Sequence, residues 1–412
     1  MKYFIADFHI HSKYSRATSK DMDIENLSKW AKIKGIALMG TGDFTHPEWL
    51  KELKEKLEPV EYGIFKYNDI NYMLTTEVVN IYFKSGKSRK IHNIVFAPSF
   101  ETAQEINKYL RAFGDLRVDG RPILDLDCEK MVKALYEISP DIFVVPGHIW
   151  TPWFSLFGSN SGFNDVEECF GQETGKVFAL ETGLSSDPAM NWRWSKLDRF
   201  SLVSNSDSHS PSKIGREANV FRERFTYKGL IEILKKKDKD RFLFTVEFFP
   251  EEGKYHWDGH RNCNARLSPK EARKINLRCP VCSRRITVGV MHRLEDLADR
   301  PEGFALDSGI PFKNLVPLDE IIAEAMGIGK ESVGVSREYN SLIQRMGNEF
   351  DILLEIPDEE LLKSCNPRVA KGILKVRKGE IEALAGYDGE YGKIKIFKEG
   401  EKEEGEKQLS FL

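Results

Sequence analysis

No apolar run in this chain of 412 residues reaches the roughly 18 residues needed to cross a bilayer. No leader with a basic start, apolar middle and small-residue cleavage site opens it. Neither a membrane-spanning nor a secreted protein is expected, and the expected location is the cytoplasm. Cysteine is scarce, six residues without the pattern of a disulfide framework, so in a reducing compartment metal ligation is the better use for any that pair. Gly-x-Ser-x-Gly and Walker-type loops are missing, which argues against acyl transfer and nucleotide-triphosphate hydrolysis. A large net charge is missing too: the formal value is −3, with acid gathered in the tail and in one set of strand-end residues. Hydrophobic residues make up 41%, enough for real cores in two to three domains, and the 30% that are charged, rich in Lys and Glu, suit a heat-stable protein.

Histidine is rare, nine residues, yet two of them stand together at His9 and His11, just after an apolar run from Tyr3 to Phe8. Two residues apart on an extended backbone, their imidazoles point to one side and can hold one ion. Six further apolar runs carry a carboxylate or imidazole: Ile36 to Gly42 leads to Asp43 and His46, Asn71 to Thr76 to Glu77, Ile142 to Gly147 to His148, Val177 to Leu180 to Glu181, and Ser201 to Ser206 to Asp207 and His209. The exception is Ile91 to Ala97, with His92 at its start. Amphipathic stretches lie between, such as Ile24 to Lys34, with Ile24, Leu27, Trp30 and Ala31 on one face and Gly35 as a stop. Strand-helix alternation of this kind predicts an α/β fold, a parallel barrel of about seven strands with its chemistry at the strand ends. His9, His11, Asp43, His46, Glu77, His92, His148, Glu181, Asp207 and His209 would then share one pocket. That exceeds the needs of one tetrahedral zinc, so about two or three carboxylate-bridged ions are expected.

The opening His-x-His and the closing Asp207-Ser208-His209 resemble the PHP (polymerase and histidinol phosphatase) phosphoesterases. Longer strings, FHIHSKYSRATSKDM from Phe8, GTGDFTHPEW from Gly40, LTTEV, HNIVFAP, VVPGHIWTPW, ETGLSSDP, SNSDSHSP, GREANVF, KYHWDGHRNC and CPVC, resemble the endonuclease Q family, archaeal enzymes that nick DNA beside deaminated bases. The resemblance spans essentially the whole chain. It implies a distorted (β/α)7 PHP barrel and a centre of about three zinc ions held by His9, His11, His46, Glu77, His92, His148, Glu181, Asp207 and His209, with Asp43 competing with His46. Magnesium or manganese are expected to substitute, because imidazole-carboxylate sites overlap in preference. Many PHP members carry an acid or His five or six residues after the second histidine, whereas this chain has Arg16 and Ala17. A permanent cation there suits a scissile phosphate or balances a nearby acid. Zinc lowers the pKa of bound water from 15.7 to about 7, and Asp207, with His209, is the expected group to orient or deprotonate that water.

After Phe249-Pro250 the composition shifts, and His260, Cys263, Cys279 and Cys282 have the spacing of a closed structural zinc site, His256 being the competing ligand. Cys128, Cys169 and Cys365 read as buried thiols. Leu294 to about Leu384 is helical in pattern, interrupted at Gly327 to Lys330, which reads as a helix junction or a phosphate-meeting turn. The expected domains are a barrel at 1–245, a zinc module at 246–293 that shapes one wall of a DNA groove, a helical DNA-binding domain at 294–397, and a disordered tail at 398–412. Basic stretches at Lys84 to Lys90, Lys235 to Arg241 and Arg368 to Lys378 are candidates to track a phosphate backbone. Phe44, Trp49, Trp150, Trp153, Phe154 and Phe170 are candidates to stack on a base.

The tail ends in Gln408-Leu409-Ser410-Phe411-Leu412, which resembles a sliding-clamp peptide, so the clamp PCNA is an expected partner through Gln408, Leu409, Phe411 and Leu412. The resemblance implies a metal-dependent repair endonuclease that cuts the phosphodiester 5′ to hypoxanthine, uracil, xanthine or an abasic site. A PHP phosphatase of a small sugar or nucleotide phosphate explains the barrel but leaves the zinc module, helical domain and tip without work. A DNA-binding scaffold would require broken metal motifs, and only the Arg16 position departs in that way.

Overall fold

In a computed structural model, residues 3–222 and 226–398 are described; the clamp-like tip and nearly all of the charged tail lie outside them. The predicted helix Ile24–Lys34 forms with the expected bounds. Asp23 accepts the Asn26 backbone N–H at its start, and Gly35, at φ 90°, ends it in the left-handed region that suits glycine. Ile24, Leu27 and Ala31 are buried.

The central sheet has eleven strands. Tyr3–Asp7, Leu38–Gly40 and Ile70–Lys84 run parallel, with Asp7 opposite Met39 and Gly40 opposite Met73. Their C-terminal directions coincide, so His9, His11, Asp43 and Glu77 arrive on one side of the sheet. The sheet is mixed, which departs from the all-parallel expectation. Ile70–Lys84 runs straight through Glu77 and turns at Ser85-Gly86, both at positive φ, into the antiparallel strand Lys87–Ala97. A two-residue turn of that hand matches the twist of a hairpin. The antiparallel partner enters from the Glu77 side, with Val79 opposite His92, which is why this ligand-type residue starts its apolar run instead of ending it. Phe143–Pro146, antiparallel to Lys87–Ala97, reverses direction again and delivers His148 to the same side. A separate parallel pair, Ala179–Glu181 and Ser201–Val203, leads to Glu181 and Asp207.

Four helices, Leu318–Met326, Val333–Met346, Asp358–Ser364 and Pro367–Arg377, form the C-terminal part. Their buried Leu318, Ile321, Ile322, Leu342, Val369 and Ile373 join the same apolar core as Ile24, Leu27 and Ala31. The connection is also ionic: Lys34 Nζ lies 2.7 Å from Glu349 Oε2, both side chains buried, and Tyr339 donates its hydroxyl to the same carboxylate. Gly327, at φ 66°, caps the first of these helices, and Lys330 pairs with Asp319 and Glu320, so Gly327 to Lys330 is a junction. No helix among the described residues is long and apolar enough to cross a membrane.

Candidate metal centre and adjoining cavity

Six of the ten predicted side chains converge in two groups that share Glu77: His9, His11, Glu77 and Asp207, and Glu77, His92 and His148, with donor atoms inside each group within 4.8 Å of one another. In the first, His9 Nδ1–H donates to Glu181 at 3.0 Å, which leaves Nε2 facing Glu77 Oε2 at 3.6 Å and Asp207 Oδ1 at 3.7 Å. That Nε2 is buried and has no hydrogen-bond partner. An orphaned imidazole nitrogen aimed at two carboxylates fits a cation and is costly without one. His11 Nε2 lies 3.0 Å from Asp207 and 3.3 Å from Glu77, while its Nδ1 meets Asp43 Oδ1 at 3.0 Å. In the second group, His92 Nδ1 and His148 Nε2 stand 2.5 and 3.2 Å from Glu77 Oε1.

Charge is balanced tightly. Burial alone would depress His9 and His11, but the surrounding carboxylates, Glu181 and Glu77 for the first and Asp43 and Asp207 for the second, raise both well above the usual imidazole value. Burial would raise Glu77, yet His92, Arg121 and His9 hold it well below the carboxylate range. His92 is pushed down to about 4, by burial before all else, and is neutral at pH 7, the form that ligates. His148, Asp43 and Asp207 all sit at positive φ, 28°, 50° and 45°. Strained backbone of this kind gathers at functional sites.

The other four stand outside the two groups. Asp43 turns its second oxygen to Ser12 N at 2.6 Å, Ser12 Oγ at 2.7 Å and Ser15 Oγ at 2.9 Å, and so holds His11 from behind. Glu181 holds His9 in the same manner, accepting also from His148 N at 2.8 Å and Asn205 Nδ2 at 2.9 Å. His46 stacks on Tyr14 and points Nε2 at the Arg117 carbonyl, 3.2 Å away. His209 packs its ring 4.5 Å from that of His11 and remains partly exposed.

Arg16 is 73% exposed and its Nε lies 3.5 Å from Asp119, the acid-balancing arrangement. The cation that reaches the centre is Arg121, 3.2 Å from Glu77 Oε2, which the sequence reading missed. Its signal was faint: an arginine held between Gly120 and Pro122 in a loop that must approach closely, since a Cβ on Gly120 would stand 2.3 Å from Asp43 Oδ2. Of the six aromatic candidates, Phe44, Trp49, Trp150 and Phe170 are fully buried core residues, a correction set by packing; only Trp153 and Phe154 reach the surface. A cavity of about 520 Å³ opens beside the centre, lined by His148, Asp207 and His209 and by Lys213, Arg216 and Lys254.

His260, Cys263, Cys279 and Cys282 form a third group of converging donors. His256 stays apart, its Nδ1 buried without a partner. Cys128, Cys169 and Cys365 are buried.

Fold and site together define an α/β protein with clusters of His, Glu and Asp donors that could hold cations at one side of its sheet and a separate Cys/His cluster. Residues 317–380 match the MJ0043 C-terminal domain family. The chain is 28% identical to the uncharacterized protein YqxK of Bacillus subtilis over 96% of its own length and all of that protein. It is 34% identical to the uncharacterized protein MJ0043 of Methanocaldococcus jannaschii over 60% of its length, which is 31% of that longer protein. It superposes on the crystal structure of the lesion-specific endonuclease PfuEndoQ from Pyrococcus furiosus with a TM-score of 0.86 and 31% identity, covering 96% of this chain and 95% of that one. A complex of Endonuclease Q with a 27-mer duplex carrying an abasic lesion at its active site gives 0.86 and 32%, covering 97% and 98%. The chain belongs to the endonuclease Q family.

Proposed function

We propose that this protein is a DNA repair endonuclease that cleaves the phosphodiester 5′ to deaminated bases, hypoxanthine, uracil and xanthine, and to abasic sites. The observation that carries the reading is the end-to-end likeness to Endonuclease Q bound to abasic duplex DNA, at 32% identity, together with the clustered donors of this chain's own centre. His9, His11, Glu77, Asp207, His92 and His148 would hold the catalytic ions, about three zinc on the PHP reading, with manganese or magnesium as substitutes. When bound, such ions supply a water activated near neutral pH and screen phosphate charge.

The protein's own groups do the rest. Glu181 and Asp43 fix the two imidazoles from behind, which sets the tautomer that ligates. Asp207 lines the cavity wall, and histidine contacts keep it ionised against its burial, so it serves as an acceptor that orients the attacking water. Arg121 is placed to meet a non-bridging phosphate oxygen. Lys213, Arg216 and Lys254 bring positive charge along the cavity for the backbone. Domain limits of 1–245, 246–293 and 294–397 follow the composition, with His260, Cys263, Cys279 and Cys282 as a structural zinc site and Gln408 to Leu412 as a PCNA-binding tip read from the sequence.

The test is an end-labelled oligonucleotide with one deoxyinosine, incubated with the protein and with Asp207→Asn. Site-specific nicking lost in the variant supports the reading. Equal cleavage of undamaged DNA, no cleavage, or full activity in the variant rejects it.

A further inference from the structure

Asp7 ends the strand Tyr3–Asp7 just before His9, and its carboxylate is fully buried. It spends its oxygens on two backbone amides far away in the chain: Ser206 N donates to Oδ1 at 3.1 Å, and Gly215 N donates to Oδ2 at 2.8 Å. Ser206 and Gly215 are the two ends of the loop that carries Asp207 and His209, so one side chain closes that loop across its base. Other bonds hold the loop between and beside those ends. Arg216 Nε donates to the Ser206 carbonyl at 2.8 Å, His11 N to the Ser208 carbonyl at 2.9 Å, and Ser19 N to the His209 carbonyl at 2.9 Å.

The need for a fixed base follows from Asp207. Its φ of 45° lies in the left-handed region, which a non-glycine residue keeps only where its surroundings leave no alternative. In that conformation Asp207 Oδ1 reaches His11 Nε2 at 3.0 Å and His9 Nε2 at 3.7 Å. Gly215, at φ 69°, packs so closely that a Cβ there would stand 2.7 Å from Ile36 Cδ1, which leaves the far end of the loop little room to move. Bonds from N–H groups to a carboxylate are strong ones, and here both lie out of water. We propose that Asp7 is the positioning residue for Asp207: by pinning both ends of the Ser206–Gly215 loop it keeps the water-orienting carboxylate in register with His9 and His11. The effect on nicking rests on the function proposed above, whereas the pinning itself does not.

The experiment measures amide hydrogen exchange, resolved by overlapping peptides in mass spectrometry, and nicking of a deoxyinosine duplex, in the wild-type protein and in Asp7→Asn. Asparagine has the same shape but one acceptor oxygen. Whichever end that oxygen serves, the NH2 faces the other backbone N–H and that end comes loose. Peptides across 206–215 should exchange about tenfold faster than in wild type, the scale of one lost hydrogen bond to a charged group, while peptides of the central sheet keep their rates. The kcat should fall about tenfold or more with KM little changed, because a displaced Asp207 weakens the transition state and not the grip on DNA. A role limited to stability would raise exchange throughout and would not split kcat from KM. In the wild-type protein the Ser206 and Gly215 amides should exchange far more slowly than that of the exposed Ser212, and equal rates overturn the assignment even where the variant does not fold. Unchanged exchange over 206–215 in folded Asp7→Asn, exchange raised over the whole sheet, or a kcat equal to wild type overturns it too. A wild-type protein that nicks nothing rejects the proposed function instead, and the exchange rates still decide the pinning.

Discussion

Replacing Asp43 by Asn changes no volume and removes one charge, yet it strikes at the metal centre through His11. Asp43 Oδ2 accepts from Ser12 N, Ser12 Oγ and Ser15 Oγ, at 2.6, 2.7 and 2.9 Å. An asparagine must keep its carbonyl oxygen there, because its NH2 would face a backbone N–H. Its amide nitrogen then occupies the Oδ1 position, 3.0 Å from His11 Nδ1, and donates where the aspartate accepted. The ring responds by moving its proton to Nε2, the nitrogen that faces Asp207 and Glu77 at 3.0 and 3.3 Å and must be bare to ligate. Forcing the ligating tautomer would set one N–H against another and leave both unpaired, at about 1–3 kcal/mol. That corresponds to roughly a 5- to 150-fold loss of metal affinity, in the range of about 10–100-fold seen when a residue behind a ligand is changed. The assay equilibrates wild-type and variant protein against graded chelator and measures bound metal by elemental mass spectrometry, with circular dichroism confirming that the fold persists. A chelator midpoint for Asp43→Asn equal to that of wild type would refute the assignment of Asp43 as the residue that holds His11.

Arg121→Ala should lower kcat for nicking by about 10²-fold, with a smaller change in KM and partial recovery in Arg121→Lys, because a fixed cation at developing phosphate charge acts mainly in the transition state; equal kcat for alanine and wild type would exclude that role. Cys279→Ser, or chelator treatment, should open residues 256–289 to proteolysis while the sheet domain resists, since the buried apolar residues there are only Ala265, Ala272, Cys279 and Ile286, too few to fold without an ion; equal protection with and without metal contradicts this. Glu217 and Glu247 flank the register pair Ala218–Val246, both fully buried; burial and then mutual charge raise Glu217, and burial chiefly raises Glu247 to about 8. A carboxyl raised on folding contributes stability that is full below about 4.5 and is lost as pH rises through about 8, so Glu217→Gln should gain on wild type in unfolding free energy between pH 5 and pH 9, by on the order of 1–3 kcal/mol, measured by denaturant titration; parallel curves would show that the pair does not titrate. Deleting Gln408 to Leu412 should abolish co-elution with the clamp while nicking persists, and undiminished binding sinks the peptide assignment.

What could be read from the chain beforehand separates by the distance over which each feature is encoded. The helix Ile24–Lys34 was legible to the residue because its cap at Asp23, its apolar spacing and its stop at Gly35 are local. The Cys/His cluster was legible for the same reason: two short spacings place His260, Cys263, Cys279 and Cys282, and little long-range geometry is required. The strands were visible as apolar runs but their directions were not. Ser85-Gly86 is a hairpin signal of two residues, easily passed over in a charged stretch, and overlooking it turns a mixed sheet into a parallel one. The anomalous position of His92 at the start of its run was the visible trace of that antiparallel strand.

The six side chains that converge were among the ten named from the sequence; what each side chain faces was not legible, because that depends on register and on loops from elsewhere. Asp43 and Glu181 have the residue type of ligands and arrive at the right side of the sheet, yet each spends its oxygens on hydrogen bonds that aim a histidine. A carboxylate behind an imidazole and one in front of it look alike in a sequence. The same ambiguity separates Arg16 from Arg121: both are arginines in loops near an acid, and only the fold shows that one meets Asp119 at the surface while the other reaches Glu77 inside.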